Sequence, residues 1–491
     1  MTSIVNFFPV ILVALGALAS LAAEPFLKDE NKHKVIPWIA SVFVVLGMAS
    51  FYLVSTGTCH DLYAMDPIRR LLGVTVLLCA LLGVAGLQWT LAHEKHKGGE
   101  AYGLLLLASC GAVLMTQAID FLALFIAMEL TSFPVYALVG IRRKDENAGE
   151  GVFKYFVSGS IFSAIFLYGV SLVYGATGTT HFSTSIIEGR ETLYAVGTLL
   201  AIFGLLFKAG AAPVHFWVAD VYTGASVAVT GFMAAVVKVG ALAALGSLWI
   251  GMLVTRAGVA GAWNLAEQVT AAGQWPSLYH VVIVVAVLSI VIGAFSGLAQ
   301  KSIRRIIAFS AVMNAGFIVL GLLLPNYLGE GTVQLGSMYY FLVTYAIASA
   351  GALTGIAYLA GKEDKNENLE DIQGAGRRHP FVALGVAVCL ASLAGLPPAS
   401  GFLAKFALFT GAFSAGLSKV AIFAFVLSLV AAVYYLRIAF VLFAPRKKQC
   451  ECKCKCSCMP SSYSYMLKFM VAVAAIALLA LSVMPGFALI G

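Results

Sequence analysis

Long unbroken apolar runs dominate the chain, with polar and charged residues gathered in the short stretches between them. Fourteen such runs fall at roughly 4–23, 36–56, 71–93, 101–118, 120–141, 155–175, 193–220, 225–249, 279–300, 306–324, 336–360, 380–413, 418–445 and 466–490. Each has about the 20 residues that a helix needs to cross a bilayer. The short alternating segments of an outer-membrane barrel are absent. The pattern predicts an all-α polytopic membrane protein of about fourteen transmembrane helices. Composition agrees: 61% of residues are hydrophobic and 11% charged, against about 25% charged in a soluble domain. The first run resembles a signal peptide in position. The residues that open it, MTSIVNFF, hold no basic group, so it reads as a retained helix.

The net charge of +8 is placed unevenly. Connections after even-numbered runs hold five basic residues: Arg69, Arg70, Arg190, Arg256 and Lys419. Connections after odd-numbered runs hold nearly all the others, in groups such as Lys28-Lys32-Lys34, Arg142-Arg143-Lys144-Lys154, Lys301-Arg304-Arg305 and Arg446-Lys447-Lys448. The positive-inside rule makes the odd connections cytoplasmic and puts both termini on the outer side. Only Lys208, Lys238, Lys405, Arg437 and Glu129 then fall well inside a run. A lysine at the centre of a span costs roughly 2.5–3.5 kcal/mol on insertion scales, and such groups usually face a bundle interior or a watery cavity.

Two runs carry breaks: AGAAPVHFW at residues 209–217 in the seventh, and AGLPPASGF at 394–402 in the twelfth. They lie five runs apart. Five is odd, so the two halves would enter the membrane in opposite senses. The expected organisation is therefore 1–98 for the first three helices, 101–250 and 279–445 for two inverted five-helix repeats, a Cys-rich cytoplasmic loop at 446–465, and a last helix at 466–491. Paired broken helices in inverted repeats mark the ion site in transporters.

Lys238 sits about 13 residues from the start of its run and 11 from the end, ~16 Å from either surface at ~1.5 Å per residue. That is too deep for its stem to reach water easily. Lys208 and Lys405 lie nearer the breaks, where snorkelling or a structural role competes with a place on an ion path. Glu129, in FIAMELTSFP, is either a buried acid bonded to another helix or a partner for the lysines. A carboxylate favours the charged amine and desolvation the neutral one, so moving the acid would load or unload the lysine. Ser310 and Asn314 are four apart on one helix face. They read as helix–helix hydrogen bonding or as a water-bridging face. His215, in the first break, reads equally as a proton shuttle or as a cap on freed carbonyls. Arg437 lies eight residues before Pro445, within reach of the cytoplasmic surface, and reads as structural.

Cys59, Cys79, Cys110 and Cys389 are scattered and read as packing residues. CECKCKCSC at 450–458 falls in the predicted cytoplasm, which argues against disulfides. Its alternate spacing is not that of a structural zinc site. No Walker, dinucleotide-binding or haem motif occurs. The expectation is no metal or cofactor in this chain and no nucleic-acid partner.

At these residues the chain resembles the antiporter-like subunits of proton-pumping NADH:quinone oxidoreductase, respiratory complex I, over nearly its whole length. FKAGAAPVHFWVADVYTGAS is similar to the pattern of the N-type members. The resemblance implies a modulating carboxylate at Glu129, a proton-accepting Lys208, a connecting Lys238 and an exit-side Lys405. It further implies NAD, FMN, iron–sulfur clusters and quinone in other subunits, neighbouring membrane subunits as partners, and a bacterial inner-membrane location. Two departures stand out: Asn314 where members often carry histidine, and Ala219 where proline usually precedes Asp-Val-Tyr. The alternatives are a subunit of a related hydrogenase or deazaflavin-linked dehydrogenase complex, or of an Mrp-type cation/proton antiporter. A scaffold whose buried charges only fix helix register is the reading from a different class.

Overall fold

The structure, a computed structural model, describes residues 5–94, 99–142, 145–257, 276–324, 326–328, 332–360, 368–445 and 464–483. Its helices are α1 (Phe8–Ala23), α2 (Asp29–Ser50), α3 (Pro67–Glu94), α4 (Glu100–Gln117), α5 (Phe121–Val139) and α6 (Glu146–Thr177). The seventh run gives α7a (Glu191–Ala209) and α7b (Val218–Gly224). Next comes α8, built from Val227–Phe232, a π turn at Met233–Val237, and Lys238–Ala257. There follow α9 (Pro276–Leu298), α10 (Ile303–Gly321), α11 (Gly336–Leu359), α12a (Pro380–Ala394), α12b (Ser400–Ser414), α13 (Ser418–Phe443) and α14 (Ser464–Val483). Thirteen helices among the described residues are long and apolar enough to span a membrane. The twelfth run arrives as two 15-residue halves.

Burial sorts the helices into a centre and a rim. The most apolar windows of α8 and α11 are 100% buried, those of α1 and α14 only 28%. Rim helices present Phe381, Phe440, Phe469 and Val483 outward, as a body solvated by lipid or by neighbouring subunits requires.

Backbone contacts between connections respect the parity of the spans. Tyr63 bridges Ala118, and Asp120 bridges His181, joining connections that follow even-numbered helices. Ser302 bridges Asn368, joining two that follow odd-numbered ones. The Gln373 amide likewise donates to Pro445 O at 2.7 Å, and Arg377 Nε to Phe443 O at 2.9 Å.

Two local features differ from the pattern reading. Helix α6 starts at Glu146, not near 155, so Lys154 is helical. Asp145 caps the helix by accepting from Asn147 N–H at 3.0 Å, and Lys154 pairs with Glu150 one turn back at 2.6 Å. In the seventh run the first helix stops at Ala209 and the next begins at Val218. Two small hairpins, Gly57–Cys59 with Tyr63–Met65 and Asn326–Leu328 with Thr332–Gln334, occupy connections that follow even-numbered helices. Their three-residue strands are too short for an alternation signal. The Cys450–Cys458 stretch lies outside the described residues.

Candidate functional site

The first break is closed locally. Gly210 takes a left-handed conformation (φ +67°) after Ala209. Its N–H donates to Leu206 O and Phe207 O, and Ala211 N–H donates to Leu206 O at 3.0 Å. Glycine makes this turn without a Cβ penalty. Trp217 Nε1 donates to Phe207 O at 3.1 Å, and Ala212 N–H donates to Ser289 Oγ on α9 at 2.8 Å. Trp217 thus shares the Phe207 carbonyl with Gly210 N–H, while His215 bonds to the Pro213 backbone within the break. His215 is half-buried in the break, within electrostatic range of Lys238.

Lys208 lies in the last turn of α7a, where helix carbonyls favour a cation. Its amine donates to Ser132 Oγ on α5. It lies 5.6 Å and 5.9 Å from the ring centres of Tyr136 and Tyr155. Glu129 sits three residues before Ser132 on α5. Its carboxylate accepts from Ser163 Oγ on α6 at 2.5 Å, and its charge acts on Lys208. Glu129 is half-buried, so it marks one edge of the group and not its centre.

Lys238 directly follows the π turn of α8, an irregularity common at functional sites. Its amine donates to Ala311 O on α10 at 2.7 Å and lies 6.0 Å from the Tyr345 ring centre on α11. It also approaches the first break: a Cβ on Gly210 would lie 3.6 Å from its nitrogen. One residue before Ala311, Ser310 shares a hydrogen bond with Tyr435 Oη on α13. The Asn314 amide donates to Ser310 O at 2.8 Å and to Tyr435 Oη at 3.0 Å. Ser310 and Asn314 thus form one polar cluster with a tyrosine.

At the second break Gly395 is left-handed (φ +78°), and Leu396 N–H donates to Ala391 O at 2.9 Å. Lys405, on α12b, turns back to the end of α12a. Its amine donates to Leu393 O at 3.0 Å, Ala394 O at 3.1 Å and Ser428 Oγ on α13 at 2.9 Å. Those three acceptors match the three donors of an ammonium. Ser428 and Tyr435 stand seven residues apart on one face of α13, so this helix joins the second break to the Ser310 cluster.

The three amines are 2%, 1% and 5% exposed for Lys208, Lys238 and Lys405, whereas Arg437 is exposed. Lys208 is bonded to Ser132, Lys238 to Ala311 beside the Ser310–Asn314–Tyr435 cluster, and Lys405 to Ser428 on the helix that also carries Tyr435. Arg304 is a residue that the sequence reading missed. Counted there among loop cations, it is 1% exposed and donates to Thr223 O and Ala225 O at 2.8 Å each, capping the end of α7b. Beside it, Asp220 on α7b accepts from Lys154 at 2.7 Å and from Arg305 at 3.1 Å. Among the described residues no cluster of three His, Cys, Asp or Glu could hold a metal ion.

By fold and site this is a polytopic membrane protein with two interrupted helices and with Lys208, Lys238 and Lys405 buried inside the bundle. Residues 118–431 match the family described as NADH:quinone oxidoreductase/Mrp antiporter, TM, and the chain belongs to that family. It is 30% identical to NADH-quinone oxidoreductase subunit N of Parvibaculum lavamentivorans over 447 residues, covering 89% of this chain and 86% of the relative. Against subunit N of Cupriavidus taiwanensis it is 32% identical over 443 residues, covering 88% and 86%. Among solved structures it resembles a chain of respiratory complex I from Thermus thermophilus with bound aureothin. The TM-score is 0.77 with 28% identity, covering 98% of this chain and 99% of that one. A chain of the Mrp complex from Dietzia has the same fold, with a TM-score of 0.80 at 20% identity, covering 99% and 96%.

Proposed function

We propose that the chain is an N-type proton-translocating membrane subunit of a bacterial NADH:quinone oxidoreductase, and that its protons move along Glu129, Lys208, Lys238 and Lys405. The observation that carries this is the set of three buried amines, each bonded to a different helix from the one that bears it or to the other half of its own broken helix. Redox chemistry belongs to other subunits, which would carry NAD, FMN, iron–sulfur clusters and quinone. Their turnover would change the field at Glu129 and so the charge held at Lys208. Lys238 passes the proton toward the Ser310–Asn314–Tyr435 cluster, and Lys405 faces the outer half. His215 is within range of Lys238 to join the relay. The direction is cytoplasm to outside, with the odd connections cytoplasmic and both termini outside.

Residues 101–250 and 279–445 read as inverted repeats in this account. The matched turns at Gly210 and Gly395, each followed by a proline-containing break, support that reading. The partners are the other membrane subunits of the complex and, through them, its hydrophilic redox arm.

The test is Lys238→Ala in the intact complex, with NADH oxidation by quinone and proton translocation measured together in proteoliposomes. Fewer protons per electron, or loss of coupled turnover, is expected. Full stoichiometry at the parent rate would contradict the path. Sodium-dependent proton exchange without a redox donor would instead place the chain with the Mrp antiporters.

A further inference from the structure

Between the amines lie three tyrosines that no earlier step used: Tyr155 on α6, Tyr222 on α7b and Tyr345 on α11. They are 0%, 0% and 3% exposed. The Tyr155 and Tyr222 hydroxyls have no hydrogen-bond partner among the described residues, and the Tyr345 hydroxyl faces only Ser349 of its own helix. Leaving a buried hydroxyl unpaired is costly. Buried polar groups that lack a protein partner ordinarily take ordered water.

Their placement follows the amines. Lys208 sits over the Tyr155 ring and Lys238 over the Tyr345 ring, as given above. Tyr155 stacks on Trp217 with centroids 4.4 Å apart, and Trp217 meets Tyr222 edge-on at 6.5 Å. Tyr222 is within electrostatic range of both Tyr155 and Tyr345, and Tyr345 of Tyr435. The hydroxyls therefore run in the order Tyr155, Tyr222, Tyr345, Tyr435, parallel to the amines and across the first break. Elsewhere a tyrosine of the same central helix is tied to backbone: Tyr340 Oη donates to Leu481 O at 3.0 Å.

We propose that the hydroxyls of Tyr155, Tyr222 and Tyr345 hold the water that joins Lys208 to Lys238 and Lys238 to the Ser310 cluster, and that they relay protons along it. This rests on the path proposed above. In one passage an N–H bond of the Lys208 ammonium breaks as an O–H bond forms on the neighbouring water. Each hydroxyl then receives one proton as it releases its own. The last O–H breaks as an N–H forms on Lys238. The tyrosines end neutral, and the net change is one proton moved between two amines.

The experiment compares Tyr155→Phe, Tyr222→Phe and their double variant in the intact complex with Tyr340→Phe and Lys238→Ala. Phenylalanine keeps the ring and removes only the hydroxyl. The expected result is a fully assembled complex whose pumping rate falls at least fivefold in each single variant. The double variant should fall little further, because sites in series are not additive, and Tyr340→Phe should pump normally. Parent pumping in both single variants while Lys238→Ala is blocked would overturn the tyrosine relay and leave the amine path standing. Parent pumping in Lys238→Ala would overturn the path itself. A Tyr222→Phe complex that fails to assemble would give that hydroxyl a structural role and overturn its assignment as a relay.

Discussion

The two broken helices place their lysines on opposite sides of the interruption. Lys208 precedes its break, has one hydroxyl partner, and has a carboxylate within electrostatic range. Lys405 follows its break and turns back onto the carbonyl end of α12a, where two backbone oxygens and Ser428 surround its amine. A buried ammonium with three acceptors is well satisfied as a cation. An amine with one acceptor and a half-buried acid beside it depends on what that acid does. The first break is thus built for an amine whose charge is set by a neighbour, and the second for an amine held by the ends of a helix. On the proposed path, that difference would suit an entry site that must respond and a later site that must hold.

The sharpest way to break this comparison is to replace each lysine. Lys405→Met should abolish pumping and also lower the amount and melting temperature of the complex. It strands three acceptors, each worth about 1–3 kcal/mol when left unpaired. Lys208→Met should abolish pumping with much less loss of assembly. Lys405→Arg sharpens the point, because guanidinium satisfies the carbonyls but does not release a proton: assembly should return without pumping. Equal effects of the two methionine variants on native-gel yield would dissolve the contrast.

Smaller effects should follow from the acid. Glu129→Gln should slow pumping about tenfold, the equivalent of ~1.4 kcal/mol. Ser163→Ala, which removes the hydroxyl that orients the carboxylate, should slow it less. Proton uptake by vesicles during NADH oxidation reads both. Arg304→Leu should cost about 1–3 kcal/mol of stability by uncapping α7b, seen as a lower melting temperature, with Arg304→Lys intermediate. The smallest expected change is Ser428→Ala. It removes one of the three acceptors at Lys405 and should cost only about 0.5–1.5 kcal/mol, within a few degrees of melting temperature.

Much of this was legible beforehand because charge inside an apolar run is costly and therefore conspicuous. Lys208, Lys238, Lys405 and Glu129 stood out on that ground, and the two Gly-and-Pro breaks announced themselves. Their partners did not. Ser132, Ser163, Ser428 and Tyr435 are ordinary residues for a membrane helix, and only the packing of α5, α6 and α13 brings them to the amines. Arg304 was hidden by its setting: a basic residue after an odd-numbered helix looks like surface charge until α7b is seen to end against it.

The account stands on a connected, hydrated line between the amines. Its most direct test is a map of the intact complex at a resolution that shows ordered water. The expected result is water density continuous from Lys208 past Tyr155 and Tyr222 to Lys238, and on through Tyr435 and Ser428 to Lys405. Close-packed apolar side chains separating Lys208 from Lys238, with no water between them, would contradict it.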